Sequence, residues 1–225
     1  MRYLLRNTMS ALLLVGSSAI VQATDLDTDE QKFSYALGHQ AGQQLKSAGV
    51  EIDAVAFAAA INDVTKGQPM QLTADEMNAA LQAGQQRLQQ KKEAEAQAAL
   101  EAGKAFLEQN KAREGVVVLP SGLQYIELKA GEGESPGEDS EVTVHYRGTL
   151  INGQEFDSSY KRGEPTSFNL NAVIPGFRES LMLMKPGAKW QVFIPSEMGY
   201  GSKGAGAAIG PNQTLIFEIE LISVK

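Results

Sequence analysis

The sequence predicts an α+β fold: an all-helical N-terminal region and a long connecting α-helix precede a C-terminal antiparallel β-sheet wrapped on one short helix. Three observations carry this. Two capping-box patterns open helix-periodic segments at Thr28 and Thr73, nearly all prolines fall late, and the texture after Gly115 changes to short alternating apolar runs separated by Gly, Pro, Asn and Asp. Only Pro69 lies before residue 120, whereas Pro120, Pro136, Pro165, Pro175, Pro186, Pro195 and Pro211 follow. Because proline breaks helix interiors, the boundary is placed near residue 115. Four segments are expected: 1–23, 24–72, 73–114 and 115–225.

In the first segment, Arg2 and Arg6 precede an apolar run from Met9 to Val21, and Val21-Gln-Ala23 offers the small residues of a cleavage site. This is the pattern of a secretory signal peptide cut after Ala23. A membrane anchor is the alternative, but the run contains Gly16, Ser17 and Ser18 and falls short of the roughly 20 apolar residues that span a bilayer. Cleavage leaves 18 basic and 27 acidic side chains, a net charge of −9. Such a chain repels phosphate backbones, which argues against nucleic acid as a partner. The absence of cysteine excludes both a disulfide framework and lipid attachment through an N-terminal cysteine.

In the second segment, the Thr28/Gln31 capping box opens a helix with Phe33, Leu37, Ala41 and Leu45 on one face and a stop at Gly49. Gly38 and Gly42, four apart, either admit another helix closely or merely weaken a surface helix. A second helix begins at Asp53, carries Val55, Phe57, Ala58, Ile61 and Val64, and stops at Gly67 and Pro69. These helices are too small to bury a sizeable core alone, so pairing with a second copy is expected.

In the third segment, Thr73 and Glu76 open a helix that nothing interrupts from Ala74 to about Arg113, a reach of about 60 Å at 1.5 Å per residue. Its start carries an apolar stripe of Met77, Ala80, Leu81, Gly84 and Leu88, while Gln89 to Gln97 has little to bury. That middle is expected to cross solvent. Gly103 is a possible bend, and Phe106 and Leu107 are candidates to dock the far end.

In the last segment, period-2 alternation turns Val142, Val144 and Tyr146 inward in one strand and Leu215, Phe217, Ile219 and Leu221 inward in another, with Glu218 and Glu220 toward water. Asn152-Gly153 predicts a two-residue hairpin turn. Gly176 to Met184, after Pro175, reads as the short helix.

Five motifs stand in order over this segment: Val142-Thr-Val-His-Tyr-Arg-Gly-Thr-Leu150, Phe156-Asp-Ser-Ser159, Val173-Ile-Pro-Gly-Phe177, Gly199-Tyr-Gly201 and Leu215-Ile-Phe-Glu-Ile-Glu-Leu221. Sheet packing alone does not demand Phe-Asp-Ser-Ser, Val-Ile-Pro-Gly or Tyr-Gly. Their order and spacing resemble the FKBP family of peptidyl-prolyl cis-trans isomerases. With the signal, the helical region and the long helix included, the whole mature chain resembles the Mip-type (macrophage infectivity potentiator) FKBPs of Gram-negative bacteria. That resemblance is especially close at Gly115-Val-Val-Val-Leu-Pro-Ser-Gly-Leu-Gln-Tyr125 and Ile216-Phe-Glu-Ile-Glu-Leu-Ile-Ser-Val-Lys225.

The resemblance implies an FKBP-like isomerase domain over 115–225 that needs no metal, nucleophile or cofactor. Tyr146, Phe156, Val173, Ile174, Phe177 and Phe217 would line a proline pocket, Ile209 would close its far wall, and Asp157 would set a carboxylate at its edge. Tyr200 would offer a hydroxyl, and Ile174 its N–H, to the bound carbonyl, while Arg162 would pair with Asp157. Phe177 stands where the family usually has a tryptophan, the single tryptophan, Trp190, falls outside the pocket pattern, and Ala205 and Ala208 occupy a loop that often carries larger side chains. The implied partners are proline-containing unfolded or exported polypeptides, macrolides of the FK506 and rapamycin type, and a second copy joined through the N-terminal helices. The implied location is the periplasm, with association to the outer membrane or cell surface as the alternative. A non-catalytic holdase that docks peptides in the same pocket is the alternative function.

Other chemistries find little support. His39 and His145 are the only histidines, His145 alternates outward beside Tyr146, Ser158 and Ser159 have no base nearby in sequence, and the glycines from Gly199 to Gly210 lack the Lys-Ser/Thr ending of a phosphate loop. Asn212-Gln-Thr214 fits a glycosylation acceptor, a triplet common by chance.

Overall fold

Thr28 starts the first helix because its side chain accepts the Gln31 N–H while the Gln31 side chain accepts the Thr28 N–H, pairing two donors that a helix start leaves free. The computed structural model describes residues 25–225, and the expected signal segment 1–23 falls outside them. The chain divides into two units, one ending at Glu51 and one spanning Ile52–Lys225. In the first, α1 (Asp29–Ser47) buries no residue, so Phe33 and Leu37 stand 65% and 51% exposed. Gly49, at φ 72°, terminates it.

The second unit opens with α2 (Ala54–Thr65), whose Asp53 carboxylate takes the Val55 and Ala56 N–H groups. It too buries nothing, and Val64 is 79% exposed. The Thr73/Glu76 capping box then starts α3 (Ala74–Asn110), 37 residues or about 55 Å long. The helix runs through Gly103 without a break. It stops short of Arg113 because Asn110 is drawn into the sheet domain, donating to Gln124 Oε1 at 2.9 Å, and Arg113 folds back onto Asn110 Oδ1 at 2.7 Å.

The far end of α3 docks as the sequence suggested. Phe106 meets the ring of Phe193 at 5.9 Å and the Leu107 carbonyl accepts from Gln124 Nε2 at 2.9 Å. Glycine is required at position 103 for close approach, since a Cβ there would collide with Thr214 Oγ1. Beside it, Asn212 Nδ2 donates to the Ala96 carbonyl at 3.2 Å and Thr214 is buried. The triplet that resembled a glycosylation acceptor is therefore the corner on which the helix rests.

The sheet has seven strands: β1 (Val117–Val118), β2 (Gln124–Lys129), β3 (Glu141–Leu150), β4 (Glu155–Ser158), β5 (Thr166–Asn169), β6 (Lys189–Ile194) and β7 (Leu215–Val224). Its order is β1-β2-β6-β7-β3-β4, with β5 also on β3, and every pairing is antiparallel. The inward sets are those of the alternation: Val142, Val144 and Tyr146 are buried, as are Leu215, Phe217, Ile219 and Leu221. Helix α5 (Pro175–Leu183) adds Phe177 and Leu181 to the same core. Each such side chain contributes about 1.5–3 kcal/mol of burial.

The hairpin differs from the two-residue turn expected at Asn152-Gly153. Only Gly153 takes a positive φ (84°), its N–H bonds to the Leu150 carbonyl, and Leu150 N–H bonds to the Gln154 carbonyl. This is a type I turn followed by a left-handed residue, a three-residue loop, because Asn152 does not enter the left-handed region that a two-residue type I′ turn requires.

Candidate active site

On one side of the core the sheet and α5 leave an open hollow of about 470 Å³. Nine of the ten candidate residues line it: Tyr146 from β3, Phe156 and Asp157 from β4, Val173 and Ile174 before α5, Phe177 in α5, Tyr200 and Ile209 in the loop after β6, and Phe217 from β7. Arg162 does not line it. It ends α4 (Ser159–Arg162) and pairs with Asp157 from outside.

The aromatic rings hold one another at right angles. Phe177 meets Phe217 at 5.1 Å and Tyr146 at 6.0 Å, both edge to face, and Phe156 meets Phe217 at 5.5 Å. Edge-to-face pairs are each worth about 0.5–1.5 kcal/mol beyond burial, so the walls are stiff. Gly148 makes this possible. It lies opposite Phe217 in β7 and Asp157 in β4, and a Cβ there would drive into both the Phe156 and Phe217 rings.

Sequence reasoning missed Phe168 and Ala172, which also line the hollow. Phe168 packs on Tyr146 at 5.7 Å and Phe177 at 6.0 Å. The available signal was the alternation in Thr166-Ser-Phe-Asn169, an edge strand that pairs with β3 through Val142↔Phe168. Trp190 is buried away from the hollow, stacked on Tyr125 at 4.0 Å. Phe177 thus serves as floor, and Ala205, Gly206 and Ala208 make a wall of small residues.

The polar groups form one triangle at the rim. Tyr146 donates its hydroxyl to Asp157 Oδ2 at 2.5 Å, Arg162 donates to Asp157 Oδ1 at 2.5 Å, and its other nitrogen donates to the Tyr146 hydroxyl at 2.9 Å. Burial pushes the Asp157 carboxyl up, but the Tyr146 and Arg162 hydrogen bonds and the Arg162 charge together outweigh it and hold it below the usual carboxylate range. Burial, then the bond to Asp157, raises the Tyr146 phenol. Burial also raises the Tyr200 phenol, with the Asp157 charge adding to it. All three therefore keep one protonation state near neutrality. The Tyr200 hydroxyl and the Ile174 N–H have no hydrogen-bond partner among the described residues, so both are free to meet a ligand.

No cluster of three metal-ligating side chains exists among the described residues. His145 does come to Ser159, at 3.0 Å, although the two are far apart in sequence.

The comparisons with known proteins bear on the whole chain. Residues 132–222 match the model of the FKBP-type peptidyl-prolyl cis-trans isomerase, and residues 30–126 match that of the domain amino terminal to it. The chain is 44% identical to the peptidyl-prolyl cis-trans isomerase Mip of Coxiella burnetii, over 100% of this chain and 99% of that one. It is 42% identical to the outer membrane protein MIP of Legionella longbeachae, over 95% and 94%. The crystal structure of FkpA from Escherichia coli superposes with a TM-score of 0.67 at 38% identity, covering 89% of this chain and 98% of that one. Identity of 44% over the whole of both chains, with the isomerase model matched across the sheet domain, shows that the chain belongs to the FKBP-type peptidyl-prolyl cis-trans isomerases.

Proposed function

We propose that the protein accelerates cis-trans isomerisation of X-Pro bonds in exported polypeptides, and that the aromatic hollow is where it does so. The barrier of about 18–20 kcal/mol arises because the twisted amide loses resonance. The planar ground state is the more dipolar and is better solvated by water, so an apolar enclosure favours the twisted form. The observation that carries the reading is the composition of this wall: rings and aliphatic chains throughout, with Tyr200 and Ile174 offering free donors and the Asp157 charge already neutralised. In this mechanism the prolyl ring sits on Phe177, the preceding carbonyl takes the Ile174 N–H and the Tyr200 hydroxyl, and Asp157 acts through Tyr146 by orientation and field. No proton leaves the enzyme. Macrolides of the FK506 and rapamycin type would compete for the same hollow.

Export to the periplasm or outer surface is supported by the signal pattern of residues 1–23 and by the similarity to an outer membrane protein MIP. No helix among the described residues is long and apolar enough to cross a membrane.

A second activity, holding unfolded clients, is favoured by the apolar residues that α1 and α2 leave open, including Phe33, Val55, Ile61 and Val64. Homodimerisation through these helices would cover part of that surface and link two isomerase domains, raising effective affinity without new contacts. The test is a proline-peptide isomerisation assay on the full chain with and without a macrolide, beside an aggregation assay with an unfolded client. Macrolide-sensitive turnover supports the enzyme. Suppressed aggregation with no turnover leaves a holdase.

A further inference from the structure

Along the side of β3 that faces away from β7, the sheet has a gap. β5 pairs with β3 as far as Val144↔Thr166 and β4 pairs from Arg147↔Ser158, so His145 and Tyr146 face no strand there. One hydroxyl fills the gap. Ser159 Oγ accepts the Tyr146 N–H at 2.8 Å and donates to the Tyr146 carbonyl at 3.2 Å, supplying both halves of a missing ladder rung. With its single proton given to that carbonyl, the oxygen meets His145 Nδ1 at 3.0 Å as an acceptor, which assigns the ring proton to Nδ1. Ser159 is fully buried, so this serine and histidine do not make a nucleophile and base. The same residue opens α4, whose last residue, Arg162, reaches the Tyr146 hydroxyl. Helix α4 therefore holds Tyr146 at both ends, its backbone through Ser159 and its phenol through Arg162.

We propose that Ser159 is a positioning residue for the prolyl site, fixing the Tyr146 backbone so that its ring walls the hollow and its hydroxyl stays on Asp157. This rests on reading the hollow as the isomerase site. The phenol lies at the far end of a long side chain, so a small rotation of an unpinned backbone moves it beyond hydrogen-bond geometry.

The test uses the full chain labelled with ¹³Cζ-tyrosine, as wild type, Ser159→Ala and Ser159→Cys, with the Tyr146 resonance assigned by Tyr146→Phe. The expected result is a displaced Tyr146 line with the other tyrosines stationary, and kcat lowered about tenfold at nearly constant KM, the mark of an interaction made in the transition state. A folded Ser159→Ala protein with an unmoved Tyr146 line or an unchanged kcat overturns the proposal. So does failure of both variants to fold, which would make the role structural alone. If the wild type itself lacks turnover, the isomerase reading fails, and the resonance still decides whether Ser159 places Tyr146.

Discussion

Asp157 and Arg162 form an ion pair at 2.5 Å in which the carboxylate lines the hollow and the guanidinium stays outside it. The carboxylate charge at the rim is thus cancelled without a cation entering the apolar space. The Asp157 carboxyl is held below its ordinary value, so in the folded state it binds its proton less readily than in the unfolded chain. Its contribution to stability is then present above the unfolded pKa, about 3.9, and is lost as pH falls through the lower folded value. Both side chains are more than 40% exposed, which keeps the contribution below about 1 kcal/mol. Melting temperatures between pH 2 and 7 should fall more steeply at the acid end for wild type than for Asp157→Asn. Parallel curves would remove Asp157 from the acid response.

Turnover by Asp157→Ala should drop about tenfold, or about 1.4 kcal/mol, because the Tyr146 hydroxyl loses its acceptor and Arg162 is left as an uncancelled charge at the rim. The folded state should persist, since the pair contributes little. An unchanged rate in a proline-peptide assay would show that the triangle is structural.

Tyr200 stands 38% exposed with a partnerless hydroxyl, so Tyr200→Phe removes a donor and almost no packing. Its denaturation midpoint should match wild type while kcat/KM falls by about tenfold, less than the roughly hundredfold or more of a single preorganised donor because the Ile174 N–H remains. Equal kcat/KM would leave the Ile174 N–H as the sole donor.

The ring of the hollow was legible because Phe156 and Phe177 sit in motifs that sheet packing does not require, while the alternation of its strand turns Phe217 inward. Phe168 was not, because its strand is short, lies on an edge and carries a single aromatic residue in a four-residue alternation. The Ser159 bridge was hidden for another reason. It depends on where β4 and β5 stop along β3, and register is set by tertiary pairing that local pattern does not specify. The hairpin length and the role of Gly103 were lost similarly, one to the local backbone angles of Asn152 and the other to a contact 111 residues away in sequence, at Thr214.

Gly103→Ala should destabilise the protein although alanine favours helix by roughly 1 kcal/mol. The new Cβ meets Thr214 Oγ1 and then Thr214 Cβ, neither at the end of a flexible side chain. Overpacking of this kind costs about 1–3 kcal/mol. Thr214→Ala removes the nearest atom, so in a double-mutant cycle the pair should be less damaging than the sum of its parts. Additive midpoints would mean that α3 simply shifts away.

The docking of α3 also decides where an autonomous isomerase domain begins. A fragment from residue 115 retains every residue of the hollow but loses Phe106, which covers the Phe193 ring, and Asn110, the partner of Gln124 Oε1; Gln124 Nε2 also loses the Leu107 carbonyl. The lost burial and the unpaired amide together cost about 2–4 kcal/mol. For a domain of this size that lowers the melting temperature by roughly 10 °C or more. A fragment from residue 94 keeps these contacts, and also the Asn212 to Ala96 bond and the Gly103 seat on Thr214. It should melt at least 10 °C above the shorter fragment, with similar turnover at low temperature, because no lining residue of the hollow comes from α3. Both fragments should sediment as monomers and the full chain as a dimer, since only the full chain carries the open apolar faces of α1 and α2. Equal melting temperatures would mean that α3 merely touches the domain, and a dimeric fragment would move the association surface onto the sheet.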